Sequence, residues 1–149
     1  MRYHTSFTVH ADPTAAFDYL ADGRNAMASH PKGTMLDQRP AETIGRGTEY
    51  LFTRPDRPFR STITAYDRPM LLRFENAFRG QTPTVSTWTL TPVDRGTRLT
   101  LETSTSFVGP GWVRPFVGLL TLGAWPFLMI KMWQIKRSIA RALEARPAA

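Results

Sequence analysis

The sequence has no cysteine and only three histidines, His4, His10 and His30. A chain without cysteine forms no disulfide and offers no thiolate, which is typical of proteins in a reducing compartment. The histidines are not spaced as HxxxH or HExxH, and the carboxylates do not cluster at ligand spacing, so we predict no metal site. GxSxG and a phosphate-binding glycine loop are also missing, and nothing in the pattern indicates a cofactor.

Acidic residues are few as well: 12 stand against 19 lysines and arginines, for a net charge of +7. Six basic residues follow Phe107, but only one acid, Glu144, does so. We interpret this excess as a solvated helix face, with attraction to an anionic membrane surface as the alternative. We predict no nucleic-acid partner, because the arginines do not alternate with an exposed aromatic stripe and no nucleic-acid motif occurs.

No apolar signal core opens the chain, so we expect a cytoplasmic protein without a secretory peptide. The uncharged stretch from Phe116 to Ile130 is shorter than the roughly 20 residues that a membrane-spanning helix needs. Peripheral membrane association is the alternative location, and the same surface would equally suit a homodimer contact. The residues expected in either contact are Trp112, Trp125 and Trp133.

Period-two alternation dominates the first two thirds of the chain. After an opening strand, Tyr3–Val9, Asp12 and Pro13 predict the start of a helix that ends at Ala21, and Asn25–Ser29 fits one more short turn. Turn residues then separate six further strands, which predicts an antiparallel meander. The predicted strands are Thr34–Arg39, Thr48–Arg54, Phe59–Tyr66, Met70–Phe78, Thr82–Thr91 and Thr97–Phe107.

The alternation also predicts which face of the sheet is dry. Met70, Leu72, Phe74 and Phe78 share one side of their strand, and the next two strands each have such a side. Glu49 would face inward only if its strand slipped by one residue. The residues expected on the dry side of those next two strands are Trp88, Leu90, Leu99 and Leu101.

The C-terminal segment is the only long stretch with helical spacing, and it is the only element long enough to cover this face. We expect a short helix or turn at Val113–Ala124, a bend near Pro126 and the main helix beyond, with Gln134 and Ser138 on its opposite face. The residues expected on its dry face are Leu128, Met132, Ile135, Ile139 and Leu143.

Several segments together resemble the START-related, Bet v 1-like superfamily of helix-grip (SRPBCC) proteins, which includes the polyketide cyclase/dehydrase-like proteins. The resemblance rests on the segments 9–13, 16–22, 25 with 30–31, 44–48, 66–69, 88–92 and 96–100, in that order. It implies one α+β domain over residues 1–149. In this fold a sheet of about seven antiparallel strands wraps around a long C-terminal helix, two short helices follow the first strand, and a hydrophobic cavity lies between sheet and helix.

Our functional prediction is the binding of a small hydrophobic ligand, a lipid, isoprenoid or polyketide-like molecule, in that cavity. The alternative is a polyketide cyclase or dehydratase, for which His30 and Tyr50 are the candidate acid–base groups. We expect few polar groups to point inward, which favours binding over catalysis. The predicted ligand contacts are Phe52, Phe74, Trp88, Leu128 and Met132.

Overall fold

Seven antiparallel strands form one sheet in the computed structural model, which describes residues 2–26, 33–53, 58–78, 82–105, 130 and 133–145. The spatial order is β1-β7-β6-β5-β4-β3-β2, so β2 to β7 form the predicted meander and β1 returns to pair with β7. The strands are β1 (Arg2–Val9), β2 (Thr34–Arg39), β3 (Glu49–Thr53), β4 (Pro58–Asp67), β5 (Leu71–Phe78), β6 (Thr84–Val93) and β7 (Gly96–Thr105).

Two short helices follow β1, as expected: α1 (Pro13–Ala21) and α2 (Gly23–Ala26). The Asp12 carboxylate accepts hydrogen bonds from the backbone N–H groups of Thr14 and Ala15, at 2.9 and 3.0 Å, and so caps α1. The second helix begins two residues earlier than the turn predicted from Asn25, and residues 27–29 of that turn lie outside the described part.

The C-terminal helix, α3, comprises residues 133–144 in the described part of the chain. Ile139 and Leu143 are buried in the core and Ile135 is half-buried, which confirms the predicted dry face over this range. The rest of that face, Leu128 and Met132, and the bend predicted near Pro126 lie outside the described residues. Of the helices that the structure describes, none is both long enough and apolar enough to cross a membrane.

One prediction about the dry face was wrong. Met70 is 45% exposed, because it belongs to the turn before β5 rather than to the strand. Its backbone is used instead: the N–H donates to Asp67 at 2.7 Å and the carbonyl accepts from Leu90 at 2.8 Å. A register shift in β4, between Ile63 and Ala65, was also not foreseen.

That shift matters because an extra residue in one strand reverses the alternation beyond it. Ile63 is fully buried, and three residues later the half-buried Tyr66 packs edge-on against Phe17 of α1, with ring centroids 4.9 Å apart. Strict alternation would place Ile63 and Tyr66 on opposite sides of β4. The bulge therefore lets the strand supply an inward side chain at both places.

Candidate ligand-binding cavity

A cavity of about 390 Å³ lies between the inward face of the sheet, the first two helices and α3. Its volume falls in the range of small-molecule sites, about 300–1,000 Å³. α1 and α2 contribute Tyr19, Leu20, Gly23, Asn25 and Ala26 to its lining, and the other described lining residues come from the sheet and α3. From the sheet and α3 they are Tyr50, Phe52, Phe59, Ser61, Phe74, Asn76, Phe78, Thr84, Ser86, Trp88, Leu101, Ile135, Ser138 and Ile139.

Aromatic rings form one wall of the cavity, across β3, β4 and β5. Ring centroids lie 5.9 Å apart between Tyr50 and Phe52, 5.1 Å between Phe52 and Phe59, and 4.8 Å between Phe59 and Phe78. These separations are in the range of favourable aromatic pairs. The wall is therefore a continuous apolar surface whose rings hold one another in place.

Hydroxyl and amide groups face the same cavity, contrary to the expectation of few inward polar groups. Ser61 and Thr84 lie opposite Asn76 on its two neighbouring strands, and Ser86 lies opposite Phe74. The Asn76 amide donates to the Ser86 hydroxyl at 3.5 Å, and Ser86 and Thr103 approach to 3.5 Å. Both distances are at the limit for a hydrogen bond, so these groups are only loosely paired.

The alternation in the sequence contains the signal for these polar residues. Asn76 lies midway between Phe74 and Phe78, and Ser86 and Thr84 continue the side of β6 on which Trp88 lies. A pattern of apolar residues alone does not include these three polar residues. The side of a strand is set by position, whatever the polarity of the residue that occupies it.

Tyr50 is buried and held in place, which bears on its candidacy as an acid or base. Its hydroxyl donates to the Ala21 carbonyl at 2.7 Å and accepts a hydrogen bond from the Gly23 backbone. Burial raises the pKa of Tyr50 to about 12, against a smaller opposing effect of the Gly23 bond. A phenol with this pKa keeps its proton at neutral pH and is poorly matched to proton transfer there.

The Tyr50 ring also lies against the start of α2. A Cβ on Gly23 would be 2.5 Å from Cδ1 of the ring, so only glycine fits at this position without a shift. Tyr50 thus fixes α2 to β3 through a ring contact and a hydrogen bond. The geometry gives it the role of a structural tether in the cavity wall.

The structure places three of the five predicted ligand contacts, Phe52, Phe74 and Trp88, in the cavity wall, and their role as contacts stays a prediction. Leu128, Met132 and the catalytic candidate His30 lie outside the described residues. His4 and His10 are exposed, and the His10 ring is hydrogen-bonded to the Arg95 carbonyl at 3.0 Å.

The structure shows which way two further side chains, Glu49 and Ser138, face. Glu49 faces away from the cavity, because the buried Tyr50 next to it faces inward, and its carboxylate lies 3.9 Å from Arg60. Ser138, expected on the outer face of the C-terminal helix, lines the cavity beside Ile135 and Ile139. The inward face of α3 is wide enough at this point to include it.

Comparison with known proteins identifies this architecture. The sequence profile described as polyketide cyclase / dehydrase and lipid transport matches residues 1–129. The chain belongs to this family. Among curated proteins, none matches its sequence.

Solved structures of other proteins have the same fold as this chain. A protein from Chromobacterium violaceum has a TM-score of 0.68 at 14% identity, covering 98% of this chain and 99% of its own. The di-domain ARO/CYC StfQ of the steffimycin biosynthetic pathway has a TM-score of 0.69 at 15% identity. That match covers 96% of this chain and 50% of StfQ.

A protein of the dynemicin biosynthetic locus has a TM-score of 0.62 at 20% identity, with 97% of this chain and 47% of the other covered. This chain therefore spans about half the length of StfQ and of the dynemicin-locus protein, and nearly the whole of the Chromobacterium protein. At these identities the similarity establishes the fold of this chain. It is the helix-grip fold that the sequence predicted.

An apolar surface on α3 lies outside the cavity lining. Trp133 and Ile130 are 53% and 57% exposed, and the Arg137 guanidinium lies 3.8 Å above the Trp133 ring. Trp112 and Trp125, predicted to share a contact with Trp133, lie outside the described part. Across the described ranges, no three histidine, aspartate or glutamate side chains are grouped so that they could hold a metal ion.

Proposed function

We propose that the protein binds a small hydrophobic ligand, a lipid, isoprenoid or polyketide-like molecule, in the cavity between the sheet and α3. The observation that supports this most directly is the 390 Å³ cavity with an aromatic wall on one side and Trp88, Leu101 and Ile139 on others. An apolar molecule that entered this cavity would exchange contact with water for contact with apolar side chains on several sides. The family's description, which includes lipid transport, agrees with this proposal.

Binding of the neutral fluorophore N-phenylnaphthylamine, followed by its emission, tests the proposal together with native mass spectrometry for co-purifying molecules. We expect saturable binding to the wild-type protein. Ser86→Phe, which adds a ring inside the cavity, is expected to weaken binding at least about tenfold because it occupies the ligand's space. Thr89→Phe is the matched control, since Thr89 lies on the same strand but is exposed.

Two results would contradict the proposal. One is a wild-type protein that binds neither the fluorophore nor any co-purifying or added apolar molecule. The other is equal binding by the two phenylalanine variants, which would place the fluorophore outside the cavity. Circular dichroism on each variant confirms that the fold is retained.

The second candidate function is a cyclase or dehydratase that acts on a polyketide-like substrate. Hydroxyl and amide groups inside the cavity favour it, because they could hold an oxygenated chain in a reactive conformation. In this case Tyr50 orients the wall rather than transferring a proton, so Tyr50→Phe leaves turnover nearly unchanged. His30→Ala is the informative variant: unchanged turnover would remove His30 as the acid–base group.

The exposed Trp133 supports a further proposal, peripheral contact with an anionic membrane. Arg137 stacks on the Trp133 ring and the exposed Arg141 lies one turn further along α3, so an apolar ring and positive charges are presented together. Flotation with anionic and with neutral vesicles tests it, and Trp133→Ala is expected to reduce recovery with anionic vesicles. Protein that stays unbound to both, or that sediments as a dimer lost in Trp133→Ala, contradicts membrane contact.

A further inference from the structure

Polar side chains form a band across the inward face of the sheet, within the cavity. Ser61 of β4, Asn76 of β5 and Thr84 of β6 lie directly opposite one another on adjacent strands, and Thr105 of β7 continues the same level. Side chains opposite one another on adjacent strands are about 4.5–5.5 Å apart at Cβ. We call Ser61, Asn76, Thr84 and Ser86 the polar band.

Ser61 has the feature that requires an explanation. It is only 4% exposed and lines the cavity, yet no group in the described ranges forms a hydrogen bond with its hydroxyl. Buried polar groups nearly always have a partner, whether protein, ordered water or ligand. Because Ser61 lines the cavity, a molecule bound there could use the donor and acceptor capacity of its hydroxyl.

Asn76 has unused capacity beside it. Its one hydrogen bond within the described chain runs from the side-chain amide to the Ser86 hydroxyl at 3.5 Å, which leaves the amide oxygen and one N–H hydrogen for another partner. Buried Thr97 shows how a satisfied hydroxyl looks in this protein, with a 2.7 Å bond to the Ala11 carbonyl. The Thr97 hydroxyl therefore stabilises the fold, whereas the Asn76 amide keeps hydrogen-bonding capacity that the described chain does not use.

Apolar surfaces border the polar band on both sides. Phe59 and Phe78 stack at one edge, and Leu72, Trp88 and Leu101 occupy the level beyond Phe74 and Ser86 at the other. A molecule lying along the strands would meet rings first, then hydrogen-bonding groups, then rings and aliphatic side chains again. The groups within the band are neutral hydroxyls and a neutral amide, which suit a neutral oxygen.

We propose that the polar band, centred on Ser61 and Asn76, is a subsite for a hydroxyl or carbonyl oxygen carried by an otherwise apolar, uncharged ligand. This inference rests on the proposed binding function and adds to it the chemical class of the ligand. Desolvation penalises a carboxylate in the band, because the hydroxyls and amide bring no compensating positive charge. An apolar molecule without oxygen leaves the Ser61 hydroxyl unpaired.

Three naphthalene derivatives of nearly identical shape test this proposal by equilibrium dialysis. They carry, at the same ring position, a methyl ketone, an isopropenyl group or a carboxylate, so only the polarity and charge of the substituent differ. One additional hydrogen bond should make the ketone bind roughly three- to tenfold more tightly than the alkene. The carboxylate should bind more weakly than the ketone, and lowering the salt concentration should not rescue it.

Variants assign the preference to the polar band. Ser61→Ala and Asn76→Leu are each expected to reduce the ketone's advantage over the alkene to about twofold or less. Affinity for the alkene should stay the same or rise, since its binding uses no oxygen. Thr89→Val, which removes a hydroxyl from the exposed face of the same sheet, is the control and should keep the wild-type preference.

The outcomes separate this inference from the proposed function. If ketone and alkene bind wild type equally, or if the preference persists in both variants, the polar band is not an oxygen subsite, although the cavity still binds apolar molecules. Tighter binding of the carboxylate than of the ketone would equally overturn the choice of a neutral ligand. If none of the three molecules binds, the proposed function itself fails for this class.

Discussion

The inward face of the sheet has two ends, one packed with side chains and one that lines the cavity. At the closed end, Val9, Phe17, Leu72, Leu90 and Leu99 are completely buried against one another. At the hollow end, β4, β5 and β6 present small polar residues and Phe74 to a cavity. Both sets of residues obey the same alternation, so the difference is one of side-chain size and polarity.

The two ends show how the choice of inward side chains can create a cavity. α1 lies against β6 and β7 and fills the closed end with Phe17. At the hollow end, serine and threonine occupy positions where leucine would reach further towards α3. Small side chains at inward positions therefore leave space, and their hydroxyls make that space partly polar.

The largest expected effect comes from a matched pair of leucines on β7. Leu99 is fully buried at the closed end, whereas Leu101, two residues further, is 9% exposed and lines the cavity. Leu99→Ala is expected to reduce the free energy of unfolding by about 2–5 kcal/mol, because the neighbours cannot close the void. Leu101→Ala should cost clearly less and alter ligand affinity instead.

Urea unfolding of the two variants, followed by fluorescence or circular dichroism, measures this difference. Equal losses of stability at Leu99 and Leu101 would mean that the two ends are packed alike. In that event the cavity would not exist in solution as the structure describes it.

Gly23→Ala comes next in size, because it pushes α2 away from the aromatic wall. The new Cβ would meet three atoms of the Tyr50 ring at 2.5–2.8 Å, so the ring or the helix must shift. We expect a loss of about 1–3 kcal/mol in the free energy of unfolding and weaker ligand binding. Gly45→Ala is the control, since a Cβ there meets no atom within 4 Å. Identical stabilities for the two variants would show that the ring contact is not constraining.

Thr97→Val removes a paired hydroxyl at the closed end. The Thr97 hydroxyl donates to the Ala11 carbonyl at 2.7 Å, and Thr97 is 0% exposed. Valine keeps the shape but leaves that carbonyl without its partner, so we expect a loss of about 1–2 kcal/mol in the free energy of unfolding. Thermal unfolding measures this loss, and stability equal to wild type would show that the Ala11 carbonyl finds another donor.

The sequence predicted the order and the limits of nearly every described element, because turn residues and alternation both act locally. It did not predict the two bulges, at β2 and β4, since nothing in the residues Leu36 or Thr64 distinguishes an extra residue from a regular one. The bulge in β4 brings Tyr66 to the side on which it packs against Phe17, a contact between residues distant in the chain.

The candidate site was predicted less completely than the fold. Alternation predicts that Phe52, Phe74 and Trp88 face inward, and the family resemblance is what favours a cavity wall over a filled core. The inward polar residues were missed because polar residues were assumed to face solvent, although Asn76 shares the side of Phe74 and Phe78. The tether between Tyr50 and Ala21 could not be predicted, since it joins residues that only the folded chain brings together.

Tyr50→Phe is expected to cost about 1 kcal/mol near neutral pH, through loss of the hydrogen bond to Ala21. Burial raises the pKa of Tyr50 from 10.0 to about 12 in the folded protein. The stability that this shift contributes is fully present below about pH 10 and is lost as the pH rises towards 12, because the unfolded chain ionises first.

Urea midpoints measured between neutral pH and pH 12 test this linkage. The wild-type midpoint should fall more steeply above pH 10 than that of Tyr50→Phe. Parallel curves would show that Tyr50 ionises as easily in the folded protein as in the unfolded chain. Ligand affinity at neutral pH should be nearly the same in both proteins, since the hydroxyl is committed to the backbone.

Ser61→Ala is expected to have the smallest effect on stability, and for that reason it tests the difference between the two ends most directly. Like Thr97, Ser61 is a buried β-strand residue with a hydroxyl, but the described structure gives this hydroxyl no hydrogen-bond partner. Its removal eliminates no hydrogen bond within the described chain, so we expect a change within about 0.5 kcal/mol of zero. A loss as large as that of Thr97→Val would mean that Ser61 serves the fold. A near-zero change, together with a reduced preference for the ketone, would mean that the hydroxyl is retained for what the cavity binds.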